Sequence, residues 1–79
     1  MQLQLKTFGV TRELLGDRQV TWDFRGTTVG ELKTELVARY PALAGLGSLQ
    51  LAVNQCFADD DRVLSASDEI ALIPPMSGG

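Results

Sequence analysis

From Met1 to Phe8 apolar and polar positions alternate, with Leu3 and Leu5 on one side and Gln4, Lys6 and Phe8 on the other. A period of two predicts a strand with one half-buried face. The same period returns from Gln19 to Phe24, where Val20, Trp22 and Phe24 share a side. Between these runs, Thr11 to Gly16 reads as a single helical turn with Thr11 as its N-cap and Gly16 as its stop. Two alternating runs joined by so short a link predict an antiparallel pair.

The period then changes. Val29, Leu32, Leu36 and Tyr40 recur at helical spacing over residues 28–40, which predicts one amphipathic helix. Thr28 with Glu31 is a capping-box pattern, Glu35 with Arg39 suits an i,i+4 ion pair, and Pro41 ends the helix. Residues 42–48 are a connection of mostly small residues. Leu49, Leu51 and Val53 alternate again as a third strand. Asn54-Gln55 predicts a tight turn into a short strand at Cys56 and Phe57, and Asp59 to Asp61 a solvated loop. In the last strand, residues 69–74, Ile70 and Leu72 face one way and Ala71 and Ile73 the other. Pro74-Pro75 stops the ladder, since neither ring nitrogen carries a proton.

One amphipathic helix among five strands must cover one sheet face. The expected fold is α+β, a β-grasp (ubiquitin-like) domain over residues 1–74, with a mixed sheet of about five strands on one main helix. Residues 75–79 are expected to form a flexible Gly-Gly tail.

Composition narrows the function. Seventy-nine residues with 44 % apolar content allow one small core and argue against a disordered chain. Ten acidic against seven basic residues, a net charge of −3, exclude nucleic-acid binding driven by a basic surface. No run is long enough to cross a bilayer and Gln2, Gln4 and Lys6 interrupt the start, so neither a membrane partner nor a secretory signal is expected and the cytoplasm is the expected location. With no His and a single Cys, there is no internal disulfide, no metal-ligand spacing and no nucleophile–base pair. Cys56 reads as a small apolar strand residue and the Asp59–Asp61 run as a solvated turn, because a calcium loop needs a glycine and a closing glutamate. Trp22 and Tyr40 read as packing residues. Arg12 and Glu13 read either as a fold-stabilising pair or as a partner contact.

The chemistry therefore concentrates in the tail, Pro75, Met76, Ser77, Gly78 and Gly79. Extended, five residues reach roughly 15 Å at about 3.3 Å each. The Pro-Pro base is stiff, and the Gly-Gly tip lets another backbone or a nucleotide come close. The α-carboxylate of Gly79 is ionised at neutral pH and a poor electrophile, so transfer chemistry requires activation, typically ATP-dependent adenylation, by another protein. Phe8, Phe57 and Ile73 fall out of phase with the core positions, and are expected to form an apolar partner interface near the tail.

Val53-Asn54-Gln55, Leu64, Asp68-Glu69 and the run from Ile70 through Pro74-Pro75-Met76-Ser77-Gly78-Gly79 together resemble the molybdopterin synthase small subunit, the MoaD family. Phe8-Gly9, Arg12-Glu13-Leu14 and Gly16 resemble its N-terminal block, and Thr28-Val29 with Leu32 its helix start. The resemblance implies a β-grasp sulfur carrier, a non-catalytic, sulfur-donating subunit without catalytic side chains of its own. Gly79 would be adenylated by an E1-like enzyme using ATP and made a thiocarboxylate with sulfur from a desulfurase or rhodanese. It would then donate sulfur to cyclic pyranopterin monophosphate on the large synthase subunit, within a heterotetramer, to form the molybdopterin dithiolene of molybdenum cofactor. No cofactor would be stably bound. A ubiquitin-like protein modifier and a thiamine-type sulfur carrier are the alternatives. Two positions depart from the family: Ser67 where a glycine usually precedes Asp-Glu, and Thr7 where a second aromatic is common.

Overall fold

The computed structural model describes residues 1–46 and 49–74. Alternation at the amino end produces strand β1 (Gln2–Thr7), with Leu3, Leu5 and Thr7 inward and Gln2, Gln4 and Lys6 outward. Strand β2 (Gln19–Asp23) pairs with it antiparallel, Leu3 opposite Trp22 and Leu5 opposite Val20. Their larger apolar side chains thus share one face. Helix α1 (Val10–Leu15) joins them and closes on Gly16, whose φ of 87° lies in the left-handed region that glycine occupies without a Cβ clash.

Thr11 does not cap α1 as its position suggested. Gly9 is the N-cap, and the Thr11 side chain is fully buried. Its Oγ1 accepts from the Phe8 N–H at 2.9 Å and lies 2.7 Å from the Phe8 carbonyl and 3.2 Å from that of Leu72. The hydroxyl was used to join strand ends across the fold, which local spacing cannot reveal. Thr7, in place of an aromatic, is also buried and donates to the Asp17 carbonyl, fixing the link into β2.

Helix α2 (Val29–Arg39) forms where its period placed it, with the Thr28–Glu31 capping box intact. Glu31 accepts from the backbone N–H groups of Thr27 and Thr28 and from the Thr28 hydroxyl, which together hold its carboxyl below the usual range. The exposed acidic run serves this helix through its backbone: the Val29 and Gly30 N–H groups donate to the carbonyls of Arg62 and Asp60, both at 2.9 Å. A Cβ on Gly30 would stand 3.2 Å from the Asp60 carbonyl oxygen, so the close approach favours glycine. The expected Glu35–Arg39 pair does not form. Glu35 accepts instead from Trp22 Nε1 and the Arg25 N–H, both at 3.1 Å, and Arg39 lies over the Tyr40 ring. Trp22 and Tyr40 are half-buried against the core with ring centroids 6.4 Å apart.

The connection after α2 is more ordered than its composition suggested. Pro41–Leu46 is a 3₁₀ segment that buries Leu43. Strand β3 (Gln50–Val53) begins one residue after Leu49 and turns through Asn54 and Gln55, with φ of 52° and 71°, into β4 (Cys56–Phe57). Two positive φ values in a two-residue loop match the twist of a hairpin. Strand β5 (Glu69–Ile73) runs between β1, to which it is parallel, and β3, to which it is antiparallel. The sheet order is β2-β1-β5-β3-β4. Leu3, Leu5, Leu51, Val53, Ile70 and Leu72 meet Val29, Leu32 and Leu36 of α2 in one core, closed at its borders by Phe24, Leu43 and Leu64. This is the expected α+β β-grasp.

A polar latch fixes the entry to β5. Asn54 Nδ2 donates to Asp68 Oδ1 and Asn54 Oδ1 accepts from the Glu69 N–H, both at 2.9 Å, while Asp68 Oδ2 accepts from the Ser65 N–H at 2.8 Å. Ser67 has no positive φ, so a serine serves this turn without strain. The Ser65 N–H and then the Asn54 amide hold the Asp68 carboxyl below its ordinary value of 3.8. A depressed folded-state pKa adds stability that is complete above the ordinary value and is lost as pH falls through the folded-state one. Asp68→Asn is therefore expected to lower the midpoint of urea unfolding at neutral pH. It should also flatten the loss of stability expected of the parent chain below pH 3.8, a difference read from unfolding curves across that range.

Candidate functional site

The register decides what the sheet shows on the side away from α2. Lys6 pairs with Gln19 and Ala71, Ala71 with Ala52, and Ala52 with Phe57, so one row crosses all the strands. Paired residues point to the same side of a sheet. The next row holds Ile73 opposite Gln50, and Phe8 follows Thr7, which pairs with Leu72. Phe8, Phe57 and Ile73 are thereby brought to one outer face. Phe8 is 49 % and Phe57 71 % exposed, and Ile73 is half-buried. The small side chains of Ala71 and Ala52 lie between them, which leaves a shallow apolar saddle with large side chains on either side.

The same corner positions the last described residue. Gly9 adopts φ 55° and ψ −127°, a conformation in which a side chain is strained. A Cβ there would stand 3.5 Å from Pro74 Cγ. The chain thus leaves β5 beside Phe8 and Gly9. Sequence reading did not single out Gly9 and Thr11 as supports of this exit. The signal available was the pairing of a glycine with a threonine directly after a strand. Pro75, Met76, Ser77, Gly78 and Gly79, the expected tail, lie outside the described residues.

His is absent. Cys56 is exposed on β4 opposite Val53, on the side of the sheet that faces α2 and away from the saddle. Among the described residues no group of three or more His, Cys, Asp or Glu stands close enough to hold a metal ion, and no helix is long and apolar enough to cross a membrane. Such a surface can bind a protein and hold an emerging segment at a defined angle.

Residues 5–79 match the ThiS family. A molybdopterin synthase sulfur carrier subunit of Caenorhabditis briggsae is 40 % identical over 76 residues, 91 % of this chain and 90 % of the relative. The protein of the same description from Chlamydomonas reinhardtii is 32 % identical, with both chains covered in full. Among solved structures, small archaeal modifier protein 1 of Haloferax volcanii superposes with a TM-score of 0.78 at 31 % identity, again over 100 % of both chains. A β-grasp body and similarity that continues through residue 79 agree with each other: the chain belongs to the ThiS family, alongside the molybdopterin synthase sulfur carrier subunits.

Proposed function

We propose that this protein is the sulfur carrier, and small subunit, of a molybdopterin synthase, acting in the cytoplasm with the Gly79 carboxylate as its working group. The observation that carries the reading is similarity over the whole length of a sulfur carrier subunit, including the Pro-Pro-Met-Ser-Gly-Gly end.

In this reading the Gly79 carboxylate attacks the α-phosphate of ATP in the site of an E1-like enzyme, and pyrophosphate leaves. A persulfide sulfur from a desulfurase or rhodanese attacks the acyl-adenylate carbonyl and AMP leaves. A thiol then attacks the donor-side sulfur of the resulting acyl disulfide, forming a disulfide with the donor and releasing a thiocarboxylate on Gly79. On the large subunit that sulfur attacks a side-chain carbon of the cyclic pyranopterin monophosphate and displaces an oxygen substituent, leaving carrier and pterin joined as a thioester, and a second charged carrier supplies the other dithiolene sulfur. Water then releases the carrier with its carboxylate restored. The domain's part is to dock through Phe8, Phe57 and Ile73 and to aim the tail, its complex with the large subunit being a heterotetramer.

A second reading, attachment of Gly79 to lysines of other proteins, draws on the likeness to small archaeal modifier protein 1. Intact mass of the chain isolated from its native cell separates the two. The sulfur carrier is expected to show a fraction with one oxygen replaced by sulfur. A ladder of heavier conjugates with no such fraction would establish the modifier reading in its place.

A further inference from the structure

An acidic chain has concentrated its positive charge. Of the seven basic residues, Lys6, Arg12 and Arg18 line one open cleft of about 360 Å³, together with Phe8. The cleft lies between α1 and the end of β1, at the corner where β5 leaves the sheet. Lys6 is paired with Glu69. Arg12 and Arg18 make no ion pair with any described residue, although both are held in place by their backbones. The Arg18 N–H donates to Asp17 Oδ1 at 2.7 Å and its carbonyl accepts from the Thr7 N–H at 2.9 Å. The Arg12 carbonyl accepts from the Gly16 N–H at 2.8 Å, closing α1. Two guanidinium groups on a fixed frame are thus left to solvent beside an exposed aromatic ring. Of the nearby carboxylates, that of Asp17 accepts from the Arg18 N–H and that of Glu69 pairs with Lys6, while Glu13, next to Arg12 on α1, is exposed.

We infer that Arg12 and Arg18 are a charged docking rim that receives two carboxylates of the large synthase subunit, an inference that rests on the carrier reading above. Any protein that admits residues following Pro74 comes down over this corner and covers the cleft together with the Phe8–Ile73 part of the saddle. The rim complements an acidic surface, and guanidinium forks match carboxylates in bidentate geometry. Apolar contact with Phe8 supplies affinity, whereas exposed charges at the border steer the encounter and reject partners of the wrong sign. The cleft is open and its cations surround an apolar wall, which suits side chains carried on a protein segment better than a small anion. For Arg12 the rim corresponds to the second of the two readings left open for Arg12 and Glu13, a partner contact.

The test is titration of the full chain with the large subunit encoded in the same genome, at low and at high salt. Arg12→Gln with Arg18→Gln keeps most of each aliphatic stem and is expected to leave the melting temperature unchanged. It should weaken binding roughly tenfold at low salt, with a smaller difference at high salt. Phe8→Ala should weaken binding by the same factor at both. If the double variant matches the parent in affinity and salt dependence while Phe8→Ala still loses binding, the rim is overturned and the carrier reading stands. Saturable binding of inorganic phosphate, abolished in the double variant and competitive with the large subunit, would reassign the cleft to a small anion. Salt-sensitive self-association abolished in the double variant would reassign it to a second copy. No binding of the parent chain at any salt would remove both the rim and the reading beneath it.

Discussion

Deleting Gly79 is expected to abolish pterin conversion while leaving thermal unfolding unchanged. One residue removed shortens the tail by about 3.5 Å. A displacement of about 1 Å at a reacting centre already costs on the order of 10²-fold in rate. A carboxylate would still end the chain, now on Gly78, so the experiment separates reach from the mere presence of an acid. Extending the chain past Gly79 by residues that cannot be cleaved should abolish conversion equally, because an internal peptide carbonyl cannot be adenylated. Gly79→Ala keeps length and charge and adds only a methyl group, so its loss should be smaller. The measurement is conversion of cyclic pyranopterin monophosphate with the adenylating enzyme, sulfur donor and large subunit supplied. A shortened chain as active as the parent would end the carrier mechanism proposed for Gly79.

Two adjacent residues should behave in opposite ways. Leu72 is fully buried in the core, and Leu72→Ala is expected to cost about 2–5 kcal/mol. Against a typical total of about 5–15 kcal/mol, in a domain near the small end of the range, that leaves a partly unfolded population. Ile73, one position on, points to the other face. Ile73→Glu should change the free energy of unfolding by less than about 1 kcal/mol, yet place a charge in the proposed interface and reduce binding of the large subunit more than tenfold. Urea unfolding measured beside the binding titration checks both. An Ile73→Glu chain that unfolds would mean that Ile73 is a core residue and that the outer face is not available for docking.

Much of this was legible in the chain because it depends on local periodicity. A period of two in residues 1–8, 19–24 and 69–74 and a helical period in 28–40 depend on which neighbours must be buried together, and the strands and α2 followed them. The Asn54-Gln55 turn was readable for the same reason, since positive φ is tolerated by few residue types and asparagine is one of them. Gly-Gly behind Pro-Pro pointed to the tail because no side chain elsewhere offered the chemistry.

Other features have no local signature. Thr11 has the look of a cap by its position and is instead buried at the meeting of β1, α1 and β5. Glu35 is spaced for Arg39, yet accepts from the Trp22 indole and the Arg25 backbone, because the fold brings those donors closer than the helix brings a guanidinium. Asp60 reads as a solvated acid, and its carbonyl completes the start of a helix thirty residues earlier in the chain.

The identities and order of the residues determined the main elements and the face each would bury, and pointed to the chain end as the working group proposed above. The elements follow from side-chain period, and the proposal from the lack of any histidine to activate a nucleophile. Assembly of the sheet decided the rest. Phe8, Ile73 and Phe57 come to one face only when parallel pairing of β1 with β5 and antiparallel pairing of β5 with β3 and of β3 with β4 bring distant segments into register. Likewise, Lys6, Arg12 and Arg18 surround one cleft only because α1 folds back over the end of β1. Cross-strand register is a property of the whole core, set by which arrangement buries Leu5, Leu51 and Leu72 together, and no window of sequence contains it.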